Sequence, residues 1–162
     1  MPIPGRTTLL SFASPSNGEA VGAIAREVRV DHPELEVVSF IDLSSYPRLA
    51  RGWMRRAIVK RQAGAVLETL EAFANAGRTA PPGLAERVYV IPDFEAEAFA
   101  RYAVADTGER PLMVLIGADA VVRAVFEARS LEVARKAVGR ALSADARAMA
   151  AAASATTTIA AD

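Results

Sequence analysis

Ser16-Asn17-Gly18-Glu19 follows a short apolar run and opens a stretch with helical periodicity. Two readings suit these residue types. The free N–H groups of a helix N-terminus can hold a phosphate or a carboxylate, with Ser16, Asn17 and Gly18 as the contacting residues. Ser16 and Glu19 also have the S-x-x-E spacing of a capping box, in which the hydroxyl and the carboxylate satisfy the first turn reciprocally. In that case Glu19 occupies the place an anion would need. Nucleophilic use of Ser16 requires an adjacent base. The single histidine, His32, falls at the far end of the same expected helix, on the order of 20 Å away at ~1.5 Å per residue. Asp31, Glu34 and Glu36 surround His32, but one histidine among surface acids reads as a solvated loop. No metal or other cofactor is expected. The chain has no cysteine, which excludes disulfides, thiolate metal sites and every thiol-based mechanism.

The segment RLARGWMRRAIVKRQ carries Arg48, Arg51, Arg55, Arg56, Lys60 and Arg61 without one acid. On a helix, Arg48, Arg51 and Arg55 share one side while Arg56 and Lys60 line another. It reads as an interaction helix for an acidic protein, a nucleic-acid backbone or anionic lipid. It reads equally as a solvated face, with some arginines paired to Glu68, Glu71 or the acids of residues 95–97. Arginine suits bidentate pairing to carboxylates or phosphates. An acidic surface of another protein is therefore the expected partner, nucleic acid the weaker alternative. Trp53 and Met54 lie among the cations, and Trp53 is expected in the core.

The elements that must position these groups follow from apolar periodicity. TTLLSFA (7–13) reads as a buried strand. The helix opening near Ser16 places Val21, Ile24, Ala25 and Val28 on one face and ends at His32-Pro33. LEVVSFIDL (35–43) is a second strand. A long helix spans about 47–76, with Gly64 a candidate bend and with Leu49, Trp53, Ile58, Val66, Leu67, Leu70 and Phe73 as its apolar stripe. GRTAPPG (77–83) terminates it. RVYVI (87–91) is a third strand, and Asp93 is a natural N-cap for a helix over FEAEAFARYAV. PLMVLIG (111–117) and the run beginning ADAVVRAVFEA form an antiparallel hairpin about a turn at Ala118–Ala120. Ser130 caps the last helix, LEVARKAVGRAL. The segment 143–162, rich in alanine and threonine, is a low-complexity tail whose first half extends that helix and whose end is expected to be disordered.

The 162 residues carry 19 basic and 19 acidic side chains, so the formal net charge is zero. Nothing global points to nucleic acid or a membrane surface. No apolar run reaches the ~20 residues of a bilayer span. MPIPGRTTLLSF lacks a basic region followed by a sustained apolar stretch, and a cytoplasmic location is expected.

The order β-α-β-α-β-α-β-β-α implies parallel crossovers closed by an antiparallel hairpin. With several local stretches it resembles the thioredoxin superfamily, closest to its bacterial thioredoxin-like and peroxiredoxin-like reductases. In those proteins a strand ending F-x-A-S precedes W-C-x-x-C. Here Phe12, Ala13, Ser14 and Pro15 are followed by Ser16-Asn17-Gly18-Glu19, so Ser16 falls at the nucleophilic cysteine and Glu19 at the resolving one. Arg110-Pro111-Leu112-Met113-Val114-Leu115-Ile116 is similar to the element that opens with a cis-proline facing the cysteines, and Gly117-Ala118-Asp119-Ala120 loosely matches the hairpin turn. The resemblance covers roughly 7–142. It implies a three-layer α/β/α domain over 1–142 with a mixed sheet of about five strands, a helical insertion at about 46–84, and a cis Arg110–Pro111 bond near Ser16. A flavodoxin-like domain fits the terminal hairpin poorly. A phosphate-receiver reading of Asp42, Asp93 and Asp119 fails, because the first strand ends in Ala13-Ser14-Pro15 rather than in paired acids. The expectation is a redox-inactive binding or assembly subunit that acts through the basic helix, compatible with a homo- or hetero-oligomer. The alternative is a non-redox enzyme or small-anion-binding protein using Ser16, Asn17, Gly18, Arg110 and Pro111.

Overall fold

The computed structural model describes residues 5–104 and 111–159, the stretch 148–159 as helical backbone alone. Its elements run β1 (Thr8–Ala13), α1 (Gly18–Asp31), β2 (Glu36–Asp42), α2 (Arg51–Asn75), β3 (Val88–Asp93), α3 (Glu97–Arg101), β4 (Leu112–Ile116), β5 (Val122–Glu127) and α4 (Leu131–Ile159). This is the order expected from the sequence. The sheet order is β3-β2-β1-β4-β5. β1 is parallel to β2 and β2 to β3, while β4 is antiparallel to both β1 and β5. A mixed five-stranded sheet closed by a hairpin and a helix is the thioredoxin-like arrangement.

Each face of the sheet has its own core. On one, Leu9, Ala13, Val37, Met113 and Leu115 pack against Val21, Ala25 and Val28 of α1 and Ala134 and Val138 of α4. On the other, Leu10, Phe12, Val38, Phe40, Val114 and Ile116 meet Phe99 and Val104. Phe12 centres an aromatic cluster there, stacked on Phe40 and edge-on to Phe99, with ring centroids 5.4 and 5.3 Å away. Such pairs add roughly 0.5–1.5 kcal/mol each beyond the area they bury. α2 lies beside α1, where Phe73 joins Val30, Leu84 and Val88. Its first turns close over Leu43 and Phe94 through Met54.

Four expectations are corrected. α1 begins two residues after Ser16: Asn17 is the cap residue, and no side chain caps the first turn. The Ser14 carbonyl takes the Gly18 N–H at 2.9 Å, and the Asn17 side chain turns back to accept from the Ser14 N–H. The turn thereby consumes the residues that a capping box would use. α2 runs unbroken through Gly64. The stripe expected to face the core is largely outside, with Leu49 at 99%, Trp53 at 64% and Leu67 at 61% exposure, and Leu70 is exposed too. The inward face keeps Phe73 of that stripe, with Ile58 and Val66 packed against the core, and is completed by Met54 and Thr69. α3 is a short helix, Glu97–Arg101, whose cap position is taken by Ala96 in the left-handed region, φ 54°. Asp93 still serves that helix from the end of β3. Its carboxylate accepts the N–H groups of Glu97, Ala98 and Phe99 at 3.0, 2.8 and 3.3 Å.

The tail continues α4 as far as Ile159. No helix among the described residues is long and apolar enough to cross a membrane.

Candidate functional site

The β1–α1 junction holds the residues first singled out. Ser16 is exposed, and its hydroxyl shares a 2.8 Å hydrogen bond with that of Ser14. Asn17 spends its carbonyl oxygen on the turn. Glu19 is exposed. Gly18 faces the sheet, with Ala13 and Ile41 each 4.0 Å from where its Cβ would stand. No base accompanies Ser16: His32 caps the opposite end of the 14-residue helix, where its Nδ1 lies 3.7 Å from Glu34 Oε1. Pro111 is the residue before β4, and β4 pairs Leu112 with Phe12. The sheet therefore brings Pro111 to the end of β1 from which this junction springs. Its carbonyl accepts from the Ala128 N–H at 2.7 Å. Arg110 lies outside the described residues, and with it the geometry of the Arg110–Pro111 bond.

The basic helix divides into tied and free cations. Arg51 pairs with Glu95 and reaches the Phe94 carbonyl. Its guanidinium, like that of Arg55, lies over the Phe94 ring, at 5.4 and 5.6 Å from the centroid. Hydrogen bonding and charge from Arg51 hold Glu95 below the usual carboxylate range. Arg61 bonds Glu68 at 2.6 Å, and Arg26 of α1 reaches the other oxygen of the same carboxylate. Partial burial pushes Glu68 up, but the hydrogen bonds and charges of Arg61 and Arg26 outweigh it and hold the group low. The expected pairing of this segment to Glu68 and to the acids of 95–97 is thus present. Arg56 and Lys60 are exposed and form no ion pair with a described residue; Arg48 at the helix entrance is likewise exposed. Trp53, Arg56 and Lys60 recur at i, i+3 and i+7, which places them on one helical face. The tryptophan expected in the core is therefore on the free cationic face.

An apolar groove of about 480 Å³ runs beside this face, between α2 and the outer edge of β3. Arg55, Ile58 and Val59 form one wall, Tyr89 and Ile91 the other, and Gln62 closes its floor. Gln62 donates to the Val88 carbonyl and accepts the Val90 N–H at 2.6 Å. A side-chain amide thus pairs the edge strand as a neighbouring peptide would. Val59, 71% exposed, and Gln62 were absent from the sequence reading. The helix is apolar on several sides, so periodicity alone does not distinguish the groove wall from the core.

Comparison with protein-family models finds no match, and none of the curated proteins matches. Solved structures do. A secreted Mycobacterium tuberculosis disulfide oxidoreductase homologous to E. coli DsbE is 16% identical, with 87% of this chain and 84% of that one aligned at a TM-score of 0.45. StoA from Bacillus subtilis is 13% identical over 83% and 84%, TM-score 0.48. A thioredoxin-like protein from Aeropyrum pernix is 12% identical over 88% and 79%, TM-score 0.48. The chain has a thioredoxin-like fold and carries no cysteine. Thiol–disulfide exchange requires a thiolate to attack and a sulfur to receive it, and neither exists here.

Proposed function

We propose that this protein is a redox-inactive binding or assembly subunit that docks an acidic surface of another protein on the outer face of α2. The reading is carried by one observation: an exposed tryptophan shares a helical face with two cations, Arg56 and Lys60, that have no internal partner. Aromatic and arginine side chains are the usual anchors of protein interfaces. The groove along β3 adds an apolar seat next to the charge. An acidic segment presenting one apolar side chain fits both features. Arg51 and Arg61 serve the fold through Glu95 and Glu68, so contact falls to Arg48, Arg55, Arg56, Lys60 and Trp53.

The test compares the parent with Arg55→Glu/Arg56→Glu/Lys60→Glu and with Trp53→Ala in pull-downs from the native organism. Circular dichroism first establishes that both variants fold. The reading expects an acidic protein that crosslinks to α2, is released as salt rises, and is lost with both variants. Retention of every partner at unchanged affinity by the folded charge-reversal variant would overturn it.

A further inference from the structure

Beneath α1 and α2 the sheet is not wholly apolar. Ser11 and Ser39 stand opposite one another in the β1–β2 register, and the Ser11 hydroxyl donates to the Ser39 hydroxyl at 2.9 Å. They line a narrow cavity of about 40 Å³, partly open to solvent, together with Thr69, Arg26, Arg29 and Arg61. No carboxylate among the described residues lines it. The remaining wall is small or aliphatic, and at Gly22 a Cβ would stand 3.6 Å from Arg61 Nη2.

Arg29 is the unusual member. It is 0% exposed. Its Nη1 donates to the Arg87 carbonyl at 2.8 Å, while Nε and Nη2 are buried and have no partner. A guanidinium has five N–H donors and no acceptor, and a buried charge is costly unless paired and hydrogen-bonded. Glu36, the carboxylate whose charge acts on Arg29, is itself buried, with one oxygen on Arg6 and the other without a hydrogen-bond partner. Burial, and then the charge of Arg87, push Arg29 down to about 10 even with Glu36 acting in the opposite direction. At the other side of the cavity one carboxylate, Glu68, serves two arginines. The cavity walls therefore carry unpartnered donors and three guanidiniums with no carboxylate among the lining residues.

We propose that this cavity is a binding site for one small monovalent anion of chloride or formate size, held by Arg29 with the Ser11–Ser39 hydroxyl pair. The volume corresponds to about three water-sized spheres, which excludes phosphate esters, nucleotides and larger organic acids. The site is separate from the outer face of α2.

The experiment measures the unfolding midpoint of the full chain in sodium gluconate, whose anion is too large to enter, as gluconate is replaced by chloride, bromide or formate at constant ionic strength. The site predicts a saturable rise. At ten times the dissociation constant the folded-to-unfolded ratio increases about tenfold. The halide and formate arms separate a halide site from a carboxylate site. Crystals grown in bromide should show an anomalous peak in the cavity next to Arg29. Arg29→Met should abolish the rise. Should that variant fail to fold, Ser39→Val, which fills the space with methyl groups, should abolish it as well. An equal response to all anions, an unchanged rise in folded Ser39→Val, or water alone at the bromide position would overturn the proposal.

Discussion

Replacing Gln62 with alanine should destabilise the protein by about 1–2 kcal/mol, for a reason specific to the outer edge of the sheet. β3 is an end strand, and its backbone points alternately toward β2 and outward. The Asp93 carbonyl, facing inward, takes the Leu43 N–H. Val88 and Val90 face outward and meet the Gln62 amide, as donor to one and acceptor from the other. The next outward residue, Pro92, has no N–H to leave open. Each lost hydrogen bond costs about 0.5–1.5 kcal/mol net. The groove is open enough for water to replace part of that, so the two together fall in the lower half of their combined range. For a chain of this length the loss corresponds to roughly 2–8 °C in the unfolding midpoint. Gln62→Glu discriminates further. A carboxylate keeps the Val90 contact and faces the Val88 carbonyl without a donor. The Glu variant should therefore be weaker than the parent at pH 7 and recover part of the difference once the introduced carboxyl is protonated. Removing the amide also exposes a strand edge, which invites pairing between molecules. Urea unfolding gives the stability, and light scattering against concentration gives the association. A Gln62→Ala protein within about 0.5 kcal/mol of the parent, with no concentration dependence, would show that the amide contacts are not what seals the edge.

Two further outcomes follow from the described contacts. Asp93→Ala leaves three N–H groups at the start of α3 without their acceptor; it should cost about 2 kcal/mol, at the upper end for a cap, and loosen the Phe99–Phe12 contact, seen as reduced near-ultraviolet dichroism, while Asp93→Asn retains an acceptor and most of the stability. Glu68 is held below its ordinary 4.5, so its contribution is present above pH 4.5 and is lost as pH falls through the lower folded value; a Glu68→Gln protein should show a shallower fall in stability over that acid range, and identical acid profiles for the two would refute the assignment.

The strands and their order were legible because short β-prone apolar runs alternate with longer segments of helical period, and so short a link as the turn at Ala118–Ala120 allows only a hairpin. The inward side of α2 was not legible. Its apolar residues are spread around the whole circumference, so any of several faces makes a plausible stripe. The choice is made by partners distant in sequence: Phe73 against Leu84 and Val88, Met54 against Leu43 and Phe94, and Gln62 against β3. With those fixed, Trp53 and Leu67 must point outward. Arg29 was hidden for a different reason. An arginine in the last turn of a helix reads as a surface residue favoured by the helix dipole, and nothing local reveals its burial, which depends on the distant Arg87 carbonyl and on β2 beside it. Ser11 and Ser39 each read as a single polar interruption in an apolar strand. Only the parallel register makes them a facing pair.

The two faces of the one sheet have been filled by opposite rules, and this bears on where a thiol-free version of the fold can bind. The face under α3 is filled by Phe12, Phe40, Phe99 and their aliphatic neighbours; it contributes mainly dispersion and area. The face under α1 and α2 keeps a hydroxyl pair in mid-strand, a threonine whose hydroxyl is spent on its own helix at the Ala65 carbonyl, and a buried guanidinium with two unused nitrogens. Water in the cavity would satisfy the donors and leave the charge unbalanced. An anion satisfies both, since each N–H then points at the charge that compensates it. If water alone filled the space, an apolar replacement for Arg29 of similar volume would be neutral or stabilising in every buffer, as with other buried charges. With an anion bound, the same replacement gains in gluconate and loses in chloride. The sign change between two buffers, rather than the size of either effect, distinguishes a structural arginine from a ligand-binding one.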